Sequence, residues 1–79
     1  IVAPNPASQT AYVTLVGLIN ETVHIQLVDI TGSIVASLQV TVQEDRKVVA
    51  IPVAHLAKGM YMLRVQTSTF NQADKLIIQ

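Results

Sequence analysis

The sequence predicts an all-β protein: an immunoglobulin-like antiparallel sandwich of about seven short strands in a single domain. Three observations predict it. Apolar and polar residues alternate with period two in several stretches, the pattern of strands with one buried face. Turn signals built from Gly, Asn, Asp and Pro separate those stretches at the spacing of a small sandwich. Finally, Leu56-Ala57-Lys58-Gly59-Met60-Tyr61 leads a glycine straight into a strand with a tyrosine near its start. Gly59 has the backbone freedom for a tight corner, and the Tyr61 hydroxyl can reach back to the preceding loop, which is the physics of a tyrosine corner.

Taken in order, Ile1-Val2-Ala3 reads as a short first edge strand, stopped by Pro4-Asn5-Pro6. Each proline lacks an N–H, and Pro6 pushes Asn5 toward extended conformations. Ala11, Val13 and Leu15 then share one strand face, and Gly17 to Glu21 is a connection. Val23, Ile25 and Leu27 alternate with Thr22, His24 and Gln26 without a break. Asp29-Ile30-Thr31-Gly32-Ser33 is a hairpin turn, in which Asp29 accepts hydrogen bonds from backbone ahead of it and Gly32 takes a left-handed conformation. Ile34 to Val42 continues as strand, with Leu38, Val40 and Val42 on one side. Glu44-Asp45-Arg46-Lys47 reads as a charged turn closing a second hairpin onto a strand that buries Val49, Ile51 and Val53. Pro52 cannot donate to a ladder, so that strand is an edge or ends there. Ala54 to Lys58 crosses to the tyrosine strand, Met60 to about Thr67, in which Tyr61, Leu63 and Val65 face the core. Ser68 to Asp74 closes a third hairpin, and Lys75 to Gln79 is the last strand.

Composition narrows the function. The chain has 79 residues, 51% of them hydrophobic, and no cysteine, so the core must hold the fold without disulfides. Five basic and five acidic residues leave no net charge, which recommends neither nucleic acid nor an anionic membrane as partner. No apolar run approaches the ~20 residues of a membrane-spanning helix. His24 and His55 lack neighbouring ligands at metal spacing, and a zinc site would take three or four. Glu44 and Asp45 sit on a solvated tip, and no nucleophile triad or glycine-rich phosphate loop is present. The residues therefore predict no enzyme, no cofactor and no metal site. Two classes of function remain: a binding or spacer module of a surface protein, or a module whose own surface is read by another machine.

Four motifs in order bear on the choice: Pro4-Asn5-Pro6, the stretch Leu27 to Val35 with its Asp29/Gly32 turn, the stretch Leu56 to Val65, and Lys75-Leu76-Ile77-Ile78-Gln79. Together they resemble the type A C-terminal sorting domain of the type IX (Por) secretion system, over essentially the whole chain. Two departures are present: Ala3 stands where the family often has an aromatic, and Thr69-Phe70-Asn71-Gln72 lacks the usual glycine between the last two strands. The resemblance implies a C-terminal signal that directs a covalently linked N-terminal cargo through the periplasm and the outer-membrane type IX translocon, to the cell surface or the medium. It implies a sortase-type surface protease as second partner, and the edge strands add self-association as a further expectation. The alternative is a generic immunoglobulin-like or fibronectin-like adhesion or spacer module. Carried over, the recognition elements are Pro4, Asn5, Pro6, Asp29, Gly32, Leu56, Gly59, Tyr61, Lys75, Leu76, Ile77, Ile78 and Gln79. Gly32, Gly59 and Tyr61 are expected to hold the fold that is read, and Lys75 to Gln79 to be read directly, because a terminal edge strand suits strand addition. The start at Ile1 and the finish on an apolar strand add the expectation of one domain, residues 1–79, at the end of a larger exported protein.

Overall fold

Among the described residues seven strands follow one another: β1 (Val2–Ala3), β2 (Thr10–Val16), β3 (Thr22–Val28), β4 (Ile34–Thr41), β5 (Arg46–Pro52), β6 (Gly59–Gln66) and β7 (Asn71–Ile78). The computed structural model describes residues 2–3 by their backbone and residues 8–79 in full; the expected Pro4-Asn5-Pro6 element lies outside the described residues. The strands form two antiparallel sheets, of order β1-β2-β5 and β4-β3-β6-β7. Six are full strands and β1 is a two-residue edge.

Alternation puts the core where the sequence predicts it. Ala11, Val13 and Leu15 of β2 face Val23, Ile25 and Leu27 of β3, with Leu63 and Val65 of β6 beside them in one buried cluster. Each buried Val, Leu or Ile side chain among them contributes about 1.5–3 kcal/mol through burial, offset by the entropy of ordering the chain. Among the described residues no polar or charged side chain is buried, so the core they form carries no unpaired polar group. Strand β4, at a sheet edge, covers itself less well: Ala36, Leu38 and Val40 are only half-buried. Its pairing with β3 shifts between Leu27 and Val28, where Val35 is the extra residue of a β-bulge.

Two expectations are corrected. The charged stretch at Glu44 and Asp45 does not close a hairpin. Strand β5 leaves the sheet of β4 and pairs along its whole length with β2, from Thr10↔Pro52 to Val16↔Arg46. The crossing is tied to the one between β2 and β3, since Val42 N–H donates to Glu21 C=O, Asn20 N–H to Val42 C=O and Gly17 N–H to Asp45 C=O. Val42, fully buried, plugs the core at the crossing. The physical reason is coverage. The apolar inner face of the four-stranded sheet needs a second layer, and β1 with β2 alone is too narrow to supply it. Pro52 sits at the end of β5, on the edge strand of its sheet, where a missing N–H costs no ladder bond.

The second correction concerns β7, which begins at Asn71 rather than Lys75. The preceding turn is Thr67 to Phe70. Thr67 N–H donates to Phe70 C=O, and the Thr67 hydroxyl accepts from the N–H groups of Thr69 and Phe70. A threonine side chain thus supplies the closure that a glycine turn would otherwise provide.

Candidate recognition site

The Asp29 turn is built from local chemistry. Gly32 N–H donates to Asp29 C=O at 3.0 Å, and Asp29 N–H donates to Ser33 C=O at 2.9 Å. Gly32 has φ +90°, the positive value that ends a three-residue hairpin loop and that favours glycine. The Asp29 carboxylate is the hub. Its Oδ1 accepts from the Thr31 hydroxyl at 2.6 Å, from Thr31 N–H at 2.9 Å and from Ser33 N–H at 3.0 Å. The Thr31 hydroxyl bond first, then the Ser33 N–H, holds the carboxyl below its ordinary value, because both favour the charged form.

The corner before β6 is the second part. Gly59 has φ +149°, and no neighbouring atom lies within 4 Å of the place a Cβ would take. Its constraint is backbone conformation, not space. Two residues later Tyr61 is buried, and its hydroxyl donates to Ala57 C=O at 2.6 Å. That is the tyrosine corner the sequence predicts. Leu56 is half-buried against the core, and its N–H donates to Val53 C=O at 3.0 Å, which closes the crossing loop.

The third part is the end of β7. Leu76 and Ile78 are buried, while Lys75, Ile77 and Gln79 face outward. Leu76 and Ile78 therefore serve the core. At the end of this edge strand the outward side chains are Lys75, Ile77 and Gln79.

Register brings the three parts together. Val28, just before the Asp29 turn, pairs with Met62; Met60 pairs with Ile77, Tyr61 with Leu76, and Gly59 with Ile78. The turn, the corner and the terminal residues thus share one end of the four-stranded sheet. A shallow, mostly apolar groove of about 380 Å³ lies there, lined by Val28, Asp29, Ile30, Gly32, Met60, Tyr61 and Met62.

Sequence reasoning missed the exposed apolar side chains at this end. Ile30 is 80% exposed, Ile34 53%, Met60 49% and Met62 41%. Met60 and Met62 carried a signal, as consecutive outward positions of β6 with no polar residue. Ile30 and Ile34 carried none, because their nearness to the methionines depends on pairing between distant strands. His24 and His55 are both exposed, far apart in the chain's pairing, and among the described residues no three His, Cys, Asp or Glu side chains gather as a metal site would require.

The model of the family described as secretion system C-terminal sorting domain matches residues 2–79. No curated protein matches the chain.

Proposed function

The chain belongs to the secretion system C-terminal sorting domain family, and from that membership we propose how it is read by its machinery. It is a C-terminal sorting signal for type IX secretion, attached to an N-terminal cargo and recognised by that system. Its route leads toward the outer membrane, the cell surface or the medium. The family is not an enzyme class, and in our reading this chain acts as ligand and substrate, with no catalysis of its own.

The finer reading is that the translocon binds the end of the four-stranded sheet where the Asp29 turn, the Gly59–Tyr61 corner and Lys75, Ile77 and Gln79 meet. The observation that supports it is the convergence itself: motifs about thirty and fifteen residues apart in the chain adjoin through the register of β3, β6 and β7. Gly32, Gly59, Tyr61, Leu56, Leu76 and Ile78 act by holding that end in shape. Pro4, Asn5 and Pro6 mark the entry to the domain, and a sortase-type protease acts on its N-terminal side once it has crossed.

The test fuses residues 1–79 behind a periplasmic reporter in a bacterium that has the type IX machinery. Export of the reporter to the surface or medium is the expected result. A folded, intact fusion retained in the periplasm would reject this reading and leave an adhesion or spacer module in its place.

A further inference from the structure

We propose that the outer face of the four-stranded sheet is a protein-docking surface, and that its partner presents an apolar patch with carboxylates placed to meet Arg64. The proposal rests on the sorting reading above, because it makes that partner a component of the type IX system.

The face divides in two. Across one end run Ile34, Val28 and Met62, paired in register, with Met60 and Ile77 adjoining. Four of these five are more than a third exposed, which is unusual for neighbours on a solvated sheet face. Across the other end run Gln39, His24 and Gln66, an ordinary polar surface. Methionines suit a docking role, since their flexible thioether chains adapt to an apposed surface.

Charge identifies the kind of partner. The charged side chains on this outer face are Arg64 and Lys75, both cationic; Lys75 pairs directly with Met62, and Arg64 stands two residues along β6 from it. The single carboxylate within the four strands, Asp74, pairs with Leu63 on the inner side and accepts from Gln72 Nε2. A surface whose apolar end is bordered by two cations is complementary to an apolar surface bearing carboxylates. A second copy of this chain fits poorly. Two such faces in symmetric contact would set cation against cation, and the carboxylate at the groove, Asp29, is already engaged by Thr31 and Ser33. A bilayer fits poorly as well. Membrane-interface anchors are exposed Trp and Tyr, whereas the aromatic at this end, Tyr61, is buried with its hydroxyl bonded to Ala57 C=O, and the apolar end is a groove, not a protrusion.

The test measures binding of the purified chain to the detergent-solubilised type IX translocon. Arg64→Glu and Met62→Glu are compared with Arg46→Glu, an exposed cation of the other sheet. Arg64→Glu and Met62→Glu should each weaken binding about tenfold or more, as loss of a charge or apolar contact at an interface centre does. Arg46→Glu should bind as wild type, and added salt should weaken wild type more than Arg64→Glu. Thermal midpoints are recorded alongside, and Met62→Thr replaces Met62→Glu if the glutamate lowers its midpoint. If wild type binds and both outer-face variants bind equally well, the inference fails while the sorting reading stands. If wild type neither binds nor exports a fusion, both fail. Wild-type binding to vesicles of phosphatidylethanolamine and phosphatidylglycerol, lost in Arg64→Glu, would assign the face to membrane instead. A sedimenting dimer abolished by Met62→Glu would assign it to a second copy, and either result overturns the proposal.

Discussion

The Tyr61 hydroxyl donates to Ala57 C=O, which ties the start of β6 to the loop before it. Tyr61→Phe keeps the buried ring and loses only the bond, so urea unfolding should show a loss of about 1 kcal/mol. Gly59→Val adds a β-branched side chain at φ +149° and should cost more than about 1 kcal/mol, although nothing crowds the site. If the valine variant is as stable as wild type, the corner does not depend on glycine. Asp29 gives a prediction in pH. Its folded pKa lies below the ordinary 3.8 of the unfolded chain. The stability it contributes is therefore fully present above 3.8 and is lost as pH falls through the lower folded value. Asp29→Ala should melt below wild type at neutral pH, and the gap should narrow only under acid conditions. A gap that widens toward acid would contradict the hydrogen-bonded carboxylate.

At the scale of the element, β7 separates structure from recognition within three consecutive apolar residues. Leu76 and Ile78 point inward and Ile77 outward, as period two requires of a strand on a one-faced core. Leu76→Ala should cost about 2–5 kcal/mol, because it removes fully buried methyl groups from a packed core. Ile77→Thr keeps strand propensity and should leave the thermal midpoint nearly unchanged while reducing export of a fusion. Export that persists whenever the domain stays folded would make β7 purely structural. Truncating the strand decides nothing, since it takes Leu76 and Ile78 with it. The loop before β7 makes a related point. Thr67 closes it through side-chain acceptance, so the missing glycine is a change of chemistry and not of geometry.

For the whole molecule, one core cluster draws on both sheets, so the domain should unfold in a single cooperative transition. Far-UV circular dichroism should show strand with no appreciable helix, and its urea transition should coincide with that followed by tyrosine fluorescence. A separate early transition would mean that the two sheets melt independently. The sequence by itself determined the strand content, the inward set from Ala11 to Val65, the Asp29 hairpin and the tyrosine corner. These are all local matters: alternation over six or seven residues, or a side chain reaching backbone within four. It also carried the family, because the four motifs lie in order along the chain. Only the tertiary structure decided that β5 pairs with β2 rather than β4. A charged connection of a few residues can turn back in one sheet or cross to the other, and the choice belongs to the apolar face left uncovered on the far side of the fold. The same holds for the exposed patch. Ile34, Met62 and Ile77 come from three separate strands, and the register that makes them neighbours comes from long-range pairing, which no local window of sequence contains.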